Sequence, residues 1–133
     1  MIELYSTGVV VTGSATIEWA KKPIQLGRSA TLNADKKTIN LNLPGVYEIA
    51  VNAYGETTAA DSLVFQLKGD GVDIERGAAQ TDTAAGDYGS VSFSLLVGVS
   101  AEIANTDKAA LTLEYMGGAG TIELVNIVVK KVA

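Results

Sequence analysis

The chain has 133 residues, with 14 glycines and 2 prolines, 47% hydrophobic residues, and 15 acidic against 10 basic side chains for a formal net charge of −5. It has no cysteine and no histidine, which excludes disulfides, thiolate zinc sites, a cysteine nucleophile, a Ser-His-Asp triad and any histidine acid or base. The length suits one domain over residues 1–133, able to bury about two-thirds of its unfolded surface, and the acidic balance argues against a duplex nucleic-acid surface.

The opening Met1-Ile2-Glu3-Leu4-Tyr5 lacks the basic start and apolar run of a signal peptide. The first strand run is Gly8-Val9-Val10-Val11-Thr12, followed past Gly13-Ser14 by Thr16-Ile17-Glu18-Trp19. Short strands are expected over residues 23–26 and 29–33, divided from the next by the polar turn Ala34-Asp35-Lys36-Lys37. Residues 38–43 alternate cleanly and stop at Pro44-Gly45. Residues 46–54 place Tyr47, Ile49, Val51 and Ala53 on one face, and residues 62–68 do the same with Leu63, Phe65 and Leu67. Gly69-Asp70-Gly71 predicts a tight hairpin, because Asp-Gly tolerates the positive φ that a two-residue turn needs. Val72-Asp73-Ile74-Glu75 starts the return strand. Residues 81–87 read as a loop, and residues 101–110 hold at most one helical turn beside the loop-like Asn105-Thr106-Asp107. Residues 90–100, Leu111 with Leu113 and Tyr115, and residues 121–132 supply the last strands, with Gly117-Gly118-Ala119-Gly120 as a turn. About ten short strands with tight turns predict an all-β, two-sheet antiparallel sandwich or jelly roll. No run approaches the about 18 apolar residues of a membrane span.

The strands differ in their second faces. Residues 62–68 and 110–115 alternate apolar with polar, as strands with one wet face do. Residues 121–132 are apolar on both faces, and residues 46–54 and 90–100 back their core face with small or apolar side chains. One sheet is therefore expected to be covered on both sides, and without helices the expected cover is another copy of the chain.

No spacing points to catalysis or a cofactor. Asp70 and Asp73, near Asp61, fit no EF-hand loop. Asp82 and Asp87 flank a glycine-containing loop that could offer calcium some oxygens, but a solvated loop is the plainer reading. The glycine-rich 117–120 segment lacks the Gly-Lys-Ser/Thr ending of a phosphate loop, and no helix follows it. Lys36-Lys37 and Lys130-Lys131 read as solvated strand ends. Trp19, with Tyr5, Tyr54 or Tyr88, is a candidate sugar-stacking platform, against the simpler reading that Trp19 packs at a sandwich or subunit edge.

Pro44-Gly45-Val46-Tyr47-Glu48-Ile49-Ala50-Val51 resembles the Gly-x-Tyr-x-(Ile/Phe) strand of the tumour-necrosis-factor and complement-q-type jelly rolls. Phe65-Gln66-Leu67-Lys68-Gly69-Asp70-Gly71 is similar to their fourth-to-fifth-strand hairpin, and Ser90-Val91-Ser92-Phe93-Ser94 to the strand beside the Gly-x-Tyr strand. The start Met1-Ile2-Glu3-Leu4-Tyr5-Ser6-Thr7-Gly8 and the end Asn126-Ile127-Val128-Val129-Lys130-Lys131 resemble small proteins of this type from phages and prophages of Gram-positive bacteria. The C-terminal domain of the bacillus exosporium collagen-like glycoprotein is also similar. The resemblance implies a homotrimer, with the first, third, sixth and last strands facing the threefold axis, and a place on the virion surface as head fibre or capsid decoration. Partners would be capsid or fibre proteins, and the alternative is a module binding surface glycans or a receptor through Trp19 and Tyr88. Tyr47, Tyr54, Leu96, Ile127 and Val129 are the expected subunit contacts, with core packing as the other reading of Tyr47. The chain departs from the family in having no collagen-like stalk and no aromatic-rich axis.

Overall fold

The computed structural model of the chain describes residues 1–100 and 109–133. Its strands are β1 (Ile2–Val11), β2 (Ala15–Thr16), β3 (Lys21–Gln25), β4 (Ala30–Leu32), β5 (Ile39–Leu41), β6 (Gly45–Thr57), β7 (Asp61–Gly69), β8 (Val72–Thr83), β9 (Tyr88–Val99), β10 (Ala109–Tyr115) and β11 (Gly120–Lys131). Two antiparallel sheets result, one in the order β3-β1-β11-β6-β9 and the other β4-β5-β10-β7-β8, with β2 added beside β10. Sequence neighbours repeatedly cross from one sheet to the other, which gives a jelly-roll sandwich. The expected helical turn in 101–110 falls largely on 101–108, outside the described residues.

The inward side chains are those that alternation selects. Tyr47, Ile49, Val51 and Ala53 of β6, Leu63, Phe65 and Leu67 of β7, and Leu111, Leu113 and Tyr115 of β10 are all buried. Phe65 and Tyr115 meet edge to face, with centroids 5.3 Å apart at 65°, the arrangement that ring quadrupoles favour. Two hydroxyls lie within this apolar layer, Thr57 of β6 and Thr83 of β8, and they bond each other across the sandwich. The pairing removes the cost of burying either one alone.

The turns follow local chemistry. Asp70 and Gly71 take φ of 52° and 81° between β7 and β8, the left-handed pair that a two-residue hairpin requires. Asp70 Oδ1 also accepts the Ala110 N–H at 2.8 Å, which ties the hairpin to β10. In the β4–β5 turn Lys36 has φ of 60°. Asp35 accepts the backbone N–H groups of Thr38 and Lys37 and the Thr38 hydroxyl, and these bonds hold its carboxyl below the usual range.

β1 and β8 depart most from the expected lengths. β1 begins at Ile2 rather than at Gly8. Ile2, Leu4 and Ser6 point inward, and the polar residues between them face out. Buried Ser6 donates to the Glu18 carbonyl at 2.6 Å and accepts the Ala20 N–H at 2.8 Å, so β1 holds the approach to β3. β8 runs on to Thr83, through part of the expected loop. It is polar and little buried, and its ladder with β7, from Gly69↔Val72 to Asp61↔Thr83, makes it a strand. Propensity yields to pairing there.

Candidate functional site

Strand register lays the outer face of the β3-β1-β11-β6-β9 sheet out in rows. Across β1, β11, β6 and β9 they read Thr7–Leu124–Tyr54–Ser90, then Tyr5–Asn126–Asn52–Ser92, then Glu3–Val128–Ala50–Ser94. A fourth row holds Lys130, Glu48 and Leu96. Across the first three rows Glu3 is the lone charge. Leu96 is 51% exposed and Tyr54 44%, and at one end a further row, Val10–Thr121–Glu56–Tyr88, sets exposed Val10 and Tyr88 on either side of a carboxylate. Two shallow hollows lie on this face, one lined by Asn52, Tyr54, Ser90, Ser92 and Leu124, the other by Glu48, Ser94 and Leu96.

The opposite outer face is different in kind. Its rows include Thr16–Glu114–Gln66–Ala78 and Thr112–Lys68–Asp73. Several charges there find partners within the chain: Thr16 Oγ1 donates to Glu114 at 2.8 Å, and Lys68 Nζ lies 3.7 Å from Asp73 Oδ1. That face is suited to water, whereas the first leaves apolar area exposed. The three doubly apolar segments of the sequence are β11, β6 and β9, adjacent strands of this one sheet.

The structure separates the expected contact residues into two groups. Tyr54 and Leu96 lie on the outer face. Tyr47, Ile127 and Val129 are fully buried between the sheets, so they have no surface to offer another copy. A register irregularity between Ile122 and Leu124 decides this. It turns Ile122, Val125, Ile127 and Val129 inward and leaves Leu124, Asn126, Val128 and Lys130 outside. Leu124, Val128, Asn52 and Asn126 are thus face residues that sequence reasoning did not single out. The alternation on β11 was the available signal, but with both faces apolar it did not say which one was inner.

Tyr47 instead fastens the edge of the sandwich. Its hydroxyl lies 2.7 Å from the Leu43 carbonyl and 3.1 Å from that of Ser29, and it accepts the Leu43 N–H at 3.2 Å. Burial pushes its phenol pKa up. Two residues earlier Gly45 has φ of 145°, and a Cβ there would stand 2.3 Å from the Ala133 carbonyl. The Val46 N–H donates to that same carbonyl at 3.0 Å. The Gly-x-Tyr pattern thus joins the start of β6 to the last residues and to the loop before it. Tyr47→Phe takes the hydroxyl partner from the Leu43 N–H and carbonyl, while the Ser29 carbonyl keeps the Asn42 N–H, and is expected to cost about 1–3 kcal/mol, read as a lower urea midpoint with an unchanged slope.

The other sequence candidates take structural places. Trp19 is 1% exposed, so its ring has no face for a sugar, and its indole N–H has no partner among the described residues. Tyr88 is 65% exposed, and Glu56, then Glu123, raise its pKa by their charge. Asp82 accepts the Ser62 hydroxyl at 2.5 Å, and Asp61 accepts the Ser62 N–H at 2.8 Å. Among the described residues no three acidic side chains gather as metal ligands. Gly117 to Gly120 form the β10–β11 connection, where the Gly118 carbonyl accepts the Tyr115 hydroxyl at 2.6 Å. Among the described residues no helix is long and apolar enough to cross a membrane.

No protein-family model matches the chain, and no curated protein sequence does. Solved structures match over nearly its whole length. The globular domain of zebrafish complement 1qA superposes with a TM-score of 0.66 at 13% identity, covering 99% of this chain and 96% of that one. The vertex protein P5 of PRD1 gives 0.63 at 17%, covering 99% and 96%. Murine APRIL gives 0.61 at 14%, covering 97% and 98%. At these identities the likeness establishes the fold, a jelly-roll sandwich of the tumour-necrosis-factor and complement-q kind.

Proposed function

We propose that the chain is a non-enzymatic structural protein of a phage particle, a head fibre or capsid decoration on the virion surface, and that it works as a homotrimer. The observation that carries the reading is the contrast between the two outer faces. One is polar, with Lys68 set beside Asp73 and Glu114 bonded by Thr16. The other presents Leu124, Tyr54, Val128, Ala50 and Leu96 among serines and asparagines, with nothing of the described chain over it. The apolar side chains of this face lower their free energy by leaving water. A second copy suits it because Lys130 beside Glu48 offers each copy both signs of charge at the same end. The threefold arrangement rests on the family resemblance, and the virion setting draws support from the shared fold of a phage vertex protein. Attachment to capsid or fibre proteins would use a surface outside this face. A glycan-binding reading now has Tyr88 as its exposed ring rather than Trp19.

Light scattering during size-exclusion chromatography tests the assembly. Three chains per particle are expected at micromolar concentration, and a monomer there removes the reading. Leu96→Asp should yield a folded monomer, because carboxylates would then face apolar surface on every copy. Detection of the chain in purified virions, or capsid and portal genes beside its own, tests the setting.

A further inference from the structure

The second row of the outer face, Tyr5–Asn126–Asn52–Ser92, is polar. It lies between a row holding Leu124 with Tyr54 and one holding Val128 with Ala50. Asn126 is partly engaged, its Nδ2 3.2 Å from Glu3 Oε2 and 3.2 Å from the Leu4 carbonyl. Asn52 stands directly opposite it on β6, exposed, and its amide has no hydrogen-bond partner among the described residues. In a lone chain water serves that amide. Beneath another copy an unpaired amide would cost about 1–3 kcal/mol.

Resting on the reading of this face as the surface between copies, we infer that Asn52, with Asn126 beside it, sets the register and the copy number of the assembly by bonding the same amide on neighbouring copies. The chemistry of the group supports this. A primary amide carries donor and acceptor together. Symmetry-related copies can therefore close a ring in which each amide donates to the next and accepts from the one before. A carboxylate or an ammonium, having one role only, closes no such ring. Sliding two faces by one row moves each amide about 7 Å along its strand, away from its counterpart and toward the rows centred on Leu124 with Tyr54 or Val128 with Ala50, and breaks the amide-to-amide ring. The apolar rows would tolerate such a slip, and the amide row does not. A lone asparagine in an apolar contact gives up some stability and gains a single arrangement in this way.

Asn52→Asp and Asn52→Leu test the inference on the full chain, with native mass spectrometry and light scattering as readouts and far-UV circular dichroism confirming the fold. Asn52→Asp is expected to weaken association at pH 7 by at least about a hundredfold, because like charges meet where amides paired. Its association should return toward the wild-type value at the same pH below about pH 4, where carboxylates protonate. Asn52→Leu is expected to associate at least as tightly but in more than one copy number. Wild-type dissociation for Asn52→Asp at pH 7, or a single wild-type copy number for Asn52→Leu, overturns the inference. The reading it rests on fails differently, through a monomeric wild-type chain or a Leu96→Asp variant that stays assembled.

Discussion

Ile127→Asp is expected to unfold the chain, whereas Val128→Asp, one residue later, is expected to leave each chain folded and, on the proposed assembly, to separate the copies. Both residues are aliphatic and both lie on β11. Ile127 is fully buried opposite Leu4 and Val51. A carboxylate there has no partner charge and no water, and the penalty is several kcal/mol, at least about 4. That is a large part of the 5–15 kcal/mol that holds a typical domain together. Val128 points the other way, between Glu3 and Ala50 on the outer face. A charge there stays hydrated in the single chain and is desolvated only on association. The expected results are therefore loss of the cooperative unfolding transition for Ile127→Asp, and a monomer with nearly wild-type unfolding for Val128→Asp. Equal behaviour of the two variants would mean that the inner and outer faces of β11 are assigned wrongly.

Trp19→Ala is the second large effect, and it is an effect on folding. Trp19 is among the largest fully buried side chains, packed in the one core cluster with Tyr47, Phe65 and Tyr115. Removing it opens a cavity at a cost of about 3–5 kcal/mol, which for a chain of this size lowers the thermal midpoint by roughly 10–20 °C. Trp19→Phe should recover more than half of that loss by refilling the volume. A Trp19→Ala protein that kept its wild-type midpoint but lost binding to a glycan array would reverse this and restore Trp19 as a contact residue. The unpartnered indole N–H carries part of the reason for choosing phenylalanine, which fills the space and has no donor to satisfy.

Much of the fold is legible in the residues. Alternation in 46–54, 62–68 and 111–115 picks out the inward side chains, because one face of each strand is wet or small and the other is not. The Asp70-Gly71 hairpin is legible because few dipeptides accept two positive φ values. The full lengths of β1 and β8 are not. Glu3, Tyr5 and Thr7 break the apolar run of β1 since they face outward, and β8 is held by its ladder with β7 rather than by its own side chains. The candidate face shows a similar division. Its existence follows from three segments with two non-polar faces, but Asn52, Asn126 and Val128 come together as neighbours only through strand pairing between residues far apart in the chain.

The order of residues alone implies the class of fold, the absence of histidine and cysteine chemistry, and one sheet with non-polar character on both sides. Which side of that sheet is the inside follows from strand pairing in the folded chain. The reason is local and physical. Side chains in a strand alternate with a period of two, yet Ile122 and Val125, three residues apart, are both buried, because the pairing of β11 with β6 shifts register between Ile122 and Leu124. One irregular step exchanges the faces for the rest of the strand. It sends Ile127 and Val129 into the core, and it gives Val128 and Asn126 to the surface where other copies are expected to meet.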